Sequence, residues 1–469
     1  MKSVLIIIFS LFFCAQLLRS QVVKPTPQQL QWHDMEFYLF AHFGPNTFTG
    51  KEWGEGTEKA GVFNPSNLDC RQWCRIAKTA GAKGIIITAK HHDGFCLWPS
   101  RYSTHTVKES LWKNGKGDVL KELSTACKEY GLKFGVYISP WDRNHPDYGT
   151  EKYNDVFVNM MTEIFTSYGP IWELWWDGAN GEGPNGKQQV YDWDRFKKTV
   201  KKLSPNTVVF SDIGPHIRWV GNEKGIAGKT NWNTLDTAGF KAGLGAPPTD
   251  TLNAGNVNGR AWIPAECDVS IRPGWFYHSE EDSKVKTPEQ LFDLYLKSVG
   301  RGATLLLNVP PDGNGLFHRN DSAALMSFKK LRDKNFSQNL CNGATATIVS
   351  RSHMKSAGLL TDNNPVTFAE LKDVPNEKIQ IHFKKPTKIN CIILKEFIAD
   401  GQSVQEFNVE VKGNGKTEKL THTTIGHKRI ISFPAIIAND IFITIGAAKR
   451  NVKIAAVEAY LIDEALVEK

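Results

Sequence analysis

The chain has 469 residues and a formal net charge of +8. That length accommodates two or three domains, and 41% hydrophobic with 23% charged residues is the composition of an ordinary globular protein rather than a disordered one. No basic run is interleaved with aromatics, so no nucleic-acid partner is expected and the positive charge reads as a solvated surface.

Met1-Lys2-Ser3 precedes a mostly apolar run from Val4 to Leu18. This is a basic segment followed by a hydrophobic one too short to span a bilayer. A signal peptide over residues 1–20 is expected, with cleavage between Ala15 and Gln21 and export to the periplasm or the extracellular space. No later stretch is long and apolar enough for a membrane-spanning segment. The other seven cysteines, at positions 70, 74, 96, 127, 267, 341 and 391, are scattered and odd in number. They form neither a disulfide framework nor a CxxC zinc pair.

From Glu36 to about Asn335, strand-like runs alternate with amphipathic helices. The strands are Phe37–Gly44, Gly84–Lys90, Lys133–Ser139, Ile171–Gly178, Thr207–Asp212, Arg218–Gly221 and Thr304–Val309. The helices are Asn67–Ala80, Asp118–Tyr130, Glu151–Tyr168, Val190–Leu203, Pro288–Gly300 and Ser322–Lys334. A long region from Gly221 to Lys286, rich in Gly, Pro and Asn, reads as irregular. Repeated βα units imply a parallel sheet covered by helices, and about eight strands in 300 residues fit a closed (β/α)8-like TIM barrel. No Gly-rich dinucleotide fingerprint follows the first strand, and no cofactor is expected.

After Asn339 the helical period fades. Short strands follow at Lys378–Phe383, Ile389–Glu396, Phe407–Lys412, Ile430–Phe433, Asp440–Ile445 and Ile454–Ile462. The expected organisation is a catalytic barrel over residues 21–338 and an all-β sandwich over residues 339–469.

The most informative stretch is Ile171–Gly178, Ile-Trp-Glu-Leu-Trp-Trp-Asp-Gly. As a strand it places Trp172, Leu174 and Trp176 on one face, and Glu173, Trp175 and Asp177 on the other. A carboxylate at the C-terminal end of a barrel strand, beside an indole, stands where such barrels keep their chemistry. Other polar groups fall at strand ends: His42, His91-His92-Asp93, Tyr137 and Asp212. Adjacent histidines on an extended chain point to opposite sides and no HxH or HExxH spacing occurs, so a metal is not expected. An imidazole that both donates and accepts suits sugar hydroxyls. With 14 Trp and 26 Phe, the chain has aromatic faces to match. A glycosidase would pair Asp177 with a second carboxylate, and Glu52, Glu55, Glu223 and Glu266 are candidates.

Several motifs occur in order: His42-Phe43-Gly44, Glu52-Trp53, Ala89-Lys90-His91-His92-Asp93-Gly94-Phe95, Gly135-Val136-Tyr137 and Trp175-Trp176-Asp177-Gly178. Arg218-Trp219-Val220-Gly221-Asn222-Glu223 and Arg272-Pro273-Gly274-Trp275-Phe276-Tyr277 follow. Together they resemble the α-L-fucosidases of glycoside hydrolase family 29, over residues 30–335. The resemblance implies a retaining enzyme acting on fucosylated glycans, with Asp177 as nucleophile. It implies that His42, His91, His92, Tyr137 and Trp175 hold the fucose, that Trp275 packs on its C5 methyl, and that Glu52 and Trp53 join the pocket. The Arg-Trp-Val-Gly-Asn-Glu context is similar to the branch cleaving α-1,3 and α-1,4 linkages and points to Glu223 as acid/base, with Glu266 in reserve. Neighbouring His and Arg are expected to hold the nucleophile's pKa low, and apolar surroundings to raise that of the acid. Thr361–Phe368 resembles an early loop of discoidin-like (F5/8 type C) modules. Two other readings suit the same barrel: an exo-glycosidase for another sugar, and a non-catalytic sugar-binding protein.

Overall fold

A computed structural model describes residues 22–242, 245–413 and 415–468. The expected leader lies outside the described residues. Eight parallel strands close into a barrel: β1 Phe37–Ala41, β2 Gly84–Lys90, β3 Lys133–Ile138, β4 Glu173–Trp175, β5 Val208–Ser211, β6 Ile217–Trp219, β7 Ala265–Ser270 and β8 Thr304–Asn308. β1 pairs with both β2 and β8, which completes the ring. Strand β2, Gly-Ile-Ile-Ile-Thr-Ala-Lys, is buried at every position because the barrel interior covers one face and helices cover the other.

The outer helices start and stop where side-chain chemistry dictates. Helix Cys70–Ala80 begins after Asp69, whose carboxylate accepts from the amides of Arg71 and Gln72, and ends at Gly81 with φ +82°. Helix Val119–Tyr130 has the same plan, with Asp118 as cap and Gly131 in the left-handed conformation. No helix among the described residues is long and apolar enough to cross a membrane.

Three expectations need correction. β7 was assigned to the irregular region. Its sequence, Ala-Glu-Cys-Asp-Val-Ser, alternates acids with small apolar residues and lacks the apolar run of a buried strand. β5 and β6 are joined by residues 212–216 with no intervening helix, in keeping with the expected elements. The strand expected over Ile171–Gly178 is regular only at Glu173–Trp175. Leu174 and Trp176 pack outward against the helices as expected. Trp172 does not: it lies at the barrel floor, edge-on to Tyr38 at 4.9 Å between ring centroids. The alternation fails there because residue 172 precedes the paired segment.

That floor contains two carboxyls. Helix Pro27–His33 supplies Trp32, whose Nε1 donates to Glu173 Oε2 at 3.2 Å and to the Tyr38 hydroxyl at 3.1 Å. Tyr38 in turn donates to Glu266, which also accepts from Trp175 Nε1 at 2.8 Å. Glu173 and Glu266 are fully buried, and Glu173 Oε1 has no donor facing it. Burial, and then the charge of Glu266, push Glu173 well above the usual carboxyl range. Glu173 therefore keeps its proton beside Glu266.

Beyond the barrel the strands are antiparallel. Those expected at Lys378–Phe383 and Ile389–Glu396 are one continuous strand, Lys378–Glu396, and those at Ile430–Phe433 and Asp440–Ile445 merge into Arg429–Ala448. Their pairing is interrupted between His382 and Thr387 and again between Ile389 and Cys391. Such irregularities bend a long strand, and the eight-stranded sheet folds over its own apolar core of Ile379, Ile381, Phe407, Val409, Ile441 and Ile443. This sandwich grips the barrel: Asn231 N donates to Thr424 Oγ1 at 2.9 Å, Asn233 N to Gln402 Oε1 at 2.8 Å, and Arg301 pairs with Glu468 at 2.6 Å.

Candidate active site

The C-terminal ends of the barrel strands surround a two-lobed cavity. One lobe, of about 230 Å³, is lined by the ten side chains that the resemblance assigned to catalysis and fucose binding: His42, Glu52, Trp53, His91, His92, Tyr137, Trp175, Asp177, Glu223 and Trp275; Glu55, Asp93, Asp212 and Glu266, also noted in the sequence, do not line it. A larger hollow of about 540 Å³ beside helix Pro288–Lys297 lacks such convergence, being lined by scattered groups of both signs including Glu289, Asp293 and Lys297.

The three histidines are buried and neutral. His42 Nδ1 lies 2.9 Å from Asn308 Oδ1, an oxygen that also accepts from the His42 amide. The Asn308 amide nitrogen donates to Ser270 Oγ and to the Trp275 carbonyl, which fixes the orientation of the side chain. His42 therefore carries its proton on Nδ1 and leaves Nε2 as an acceptor. Burial, with His92 nearby, holds its pKa down at about 3. His92 follows the same logic. Its Nδ1 is 2.8 Å from Ser139 Oγ, whose own proton goes to the Trp141 carbonyl at 2.9 Å. Burial, then the charges of Lys90 and Arg143, hold His92 at about 3. Its bare Nε2 lies 3.6 Å from Asp177 Oδ2. Burial, His92 and His42 likewise push His91 well below its ordinary value.

Asp177 follows β4 by two residues. Its Oδ2 accepts from the Tyr137 hydroxyl at 2.9 Å and its Oδ1 from the Ala179 amide at 2.8 Å. Burial pushes the carboxyl up, and these two hydrogen bonds oppose the rise without cancelling it. The expectation that neighbouring cations would hold it low is thus corrected, because the adjacent imidazoles are neutral. Gly178 is required here: a Cβ at that position would meet the Asp212 carboxylate at 2.3 Å.

Glu223 is exposed at the cavity rim, not enclosed by apolar groups as expected. The motif before it works as a scaffold. Arg218 is fully buried and donates to the carbonyls of Leu252, Ile263 and Trp232 and to Asn231 Oδ1. Gly221 turns the chain at φ +87°, and Asn222 accepts from the Lys224 amide at 3.1 Å. Glu223 is left pointing at the pocket, where Trp275 Nε1 donates to its Oε2 at 3.3 Å. Trp275 is held by Glu52, whose carboxylate accepts from the amides of Trp275 at 2.7 Å and Phe276 at 3.3 Å and contacts His278 Nε2 at 2.6 Å. Trp53, 58% exposed, leans edge-on to His92.

The reserve carboxylate, Glu266, lies below Trp175 in the floor pair and does not line the cavity. Arg272 turns away from the pocket to Asp321 and Asp282, each at 2.9 Å. The sequence reading missed Asn308, the residue that orients His42, and Asp268, two positions beyond Glu266 on β7. The period-two spacing of those acids was the available signal. It also missed the second lobe, of about 250 Å³, lined by Trp175, Asp177, Phe210, Trp219, Glu223 and Asp268. Trp175 lines both lobes and stacks on Phe210 at 4.0 Å between centroids. Among the described residues, no group of three His, Cys, Asp or Glu side chains is placed to hold a metal ion.

The family model for α-L-fucosidase matches residues 18–335. An Arabidopsis thaliana protein named α-L-fucosidase 1 is 41% identical over 418 residues, which is 87% of this chain and 81% of that one. A crystal structure of a glycoside hydrolase 29 family member from an unknown rumen bacterium superimposes with a TM-score of 0.84 at 42% identity, covering 94% of this chain and 78% of the other. A Ruminococcus gnavus GH29 fucosidase in complex with fucose gives a TM-score of 0.86 at 31% identity, covering 95% and 96%. With the barrel, the histidine-lined pocket and its carboxyls in place, these likenesses establish that the chain belongs to the α-L-fucosidases of glycoside hydrolase family 29.

Proposed function

We propose that this fucosidase is a retaining exo-enzyme that removes terminal α-1,3- or α-1,4-linked L-fucose from glycans, with Asp177 as nucleophile and Glu223 as acid/base. The observation that carries the reading is that both carboxyls line one small lobe with three neutral histidines and Trp275. The bare Nε2 atoms of His42 and His92 accept from fucose hydroxyls, and Trp275 packs on the C5 methyl. Asp177 attacks the anomeric carbon from the face opposite the leaving oxygen. The glycosidic C–O bond breaks and Glu223 gives its proton to the departing oxygen. Glu223 then takes a proton from water, which attacks the fucosyl ester, releases α-L-fucose and restores Asp177. Rim exposure of Glu223 suits this second half, since the water must reach it. The Arg218–Glu223 motif supports the linkage preference.

Residues 21–338 are read as the catalytic unit and residues 339–469 as a non-catalytic, discoidin-like module. In support, the parallel barrel strands end at Asn308 and the strands of the large antiparallel sheet begin at Thr345. The contacts of Thr424 and Gln402 with residues 231 and 233 suit a bracing role for the loop that follows Glu223. Export follows from the leader-like residues 1–20. Hydrolysis of a Lewis-type trisaccharide, 2′-fucosyllactose and an aryl α-L-fucoside tests the specificity. The trisaccharide is expected to be the best natural-type substrate, and preference for 2′-fucosyllactose would overturn the linkage proposal.

A further inference from the structure

Three carboxyl groups, not two, meet where the lobes join: Asp177, Glu223 and Asp268 each line both. The retaining cycle uses the first two. Asp268 faces inward near the end of β7 and is 3% exposed. Its Oδ1 accepts from Trp219 Nε1 at 3.0 Å. The ionisable neighbours that act on it, Glu266 and Glu223, are themselves acids, and no cation lies among them. A carboxyl buried among other acids keeps its proton, and burial first, then the neighbouring acids, push Asp268 well above the ordinary range. Around it, the bare nitrogens of His42 and His92 and the Asp177 carboxylate are acceptors. A glycan also presents ether oxygens that only accept, and a neutral carboxyl is a donor for them.

We propose that Asp268 is a third working carboxyl of this site, contacting the glycan at the junction of the two lobes and donating a hydrogen bond to one of its oxygens. Its proton stays in place through both halves of the cycle, so it makes and breaks no covalent bond. The inference rests on Asp177 and Glu223 being the reacting pair.

Asp268→Asn keeps the shape and a donor, whereas Asp268→Ala removes both. With an aryl α-L-fucoside, Asp268→Asn is expected to retain kcat/KM within about threefold, and Asp268→Ala to lose at least about tenfold. An infrared difference spectrum between wild type and Asp268→Asn at neutral pH should contain the carbonyl band of a protonated acid, which decides the matter even if the alanine variant fails to fold. The proposal is overturned if Asp268→Ala stays within about twofold of wild type, if Asp268→Asn falls as far as Asp268→Ala, or if the spectrum shows only carboxylate bands. Asp177→Ala assayed alongside separates the two levels of the argument. Wild-type activity in that variant sinks the reacting pair itself, while an inactive Asp177→Ala beside an unimpaired Asp268→Ala sinks only this inference.

Discussion

Tyr137→Phe isolates one interaction at Asp177, the proposed nucleophile. The Tyr137 hydroxyl donates to Asp177 Oδ2 at 2.9 Å, and its ring is stacked between His91 at 5.7 Å and Trp175 at 5.2 Å. Phenylalanine keeps both stacking contacts and removes the donor. That donor favours the ionised carboxyl, so its loss lets burial push Asp177 further up. A hydrogen bond to a charged group contributes about 1.5–3 kcal/mol, and about 1.4 kcal/mol corresponds to one pKa unit, so a rise of about one to two units follows. The assay is the pH dependence of kcat/KM with an aryl α-L-fucoside, whose acid limb reports the free enzyme's essential base. The limb should move up by about one unit or more, with the loss of kcat/KM growing as pH falls and approaching about tenfold on the acid side of the limb. A loss of rate with an unmoved acid limb would refute the claim that this bond sets the charge of Asp177.

Three other outcomes follow. Glu52→Ala strips the acceptor from the Trp275 and Phe276 amides, so Trp275 loosens and kcat/KM should fall by about tenfold or more with little change in thermal midpoint; an unchanged kcat/KM would mean that the clamp is dispensable. Glu266→Gln keeps the size of the floor acid and an acceptor for Trp175 and should keep activity within about tenfold, whereas Glu223→Gln should lose about a hundredfold or more on a glycan with a poor leaving group; the reverse order would make Glu266 the acid. His92, held at about 3 when folded against about 6.5 unfolded, adds stability that is fully present above the unfolded value and is lost as pH falls through that window. The midpoint difference between wild type and His92→Gln should therefore shrink from about pH 7 to about pH 4, and a constant difference would show that His92 is not held neutral.

The parts of this fold legible in the sequence were those with a one-dimensional signature. Ile85–Ile87 announce a strand buried on both faces, and an apolar run ending in Trp-Asp-Gly or Lys-His-His places polar groups at the barrel mouth. β7 carried no such mark. Glu266 is tolerable inside the barrel because Glu173, Trp175 and Tyr38 satisfy it, and those partners come from other strands. The neutrality of the histidines was equally hidden. It comes from burial that no local window reports, and the tautomers are set by Asn308 and Ser139, which are distant in sequence. Glu223 was singled out through its motif, and the structure supplies a physical reason for the motif: Arg218 gathers three carbonyls so that the loop beyond Gly221 can turn the Glu223 side chain to the pocket.

The central claim assigns attack to Asp177 and proton transfer to Glu223. Azide rescue of the two alanine variants tests it most directly, with an activated aryl α-L-fucoside as substrate. Asp177→Ala with azide should yield the β-fucosyl azide, because azide then takes the place of the missing carboxylate. Glu223→Ala with azide should yield the α-fucosyl azide, because the fucosyl ester on Asp177 still forms and azide replaces the activated water. An α product from Asp177→Ala, or a β product from Glu223→Ala, would contradict the assignment.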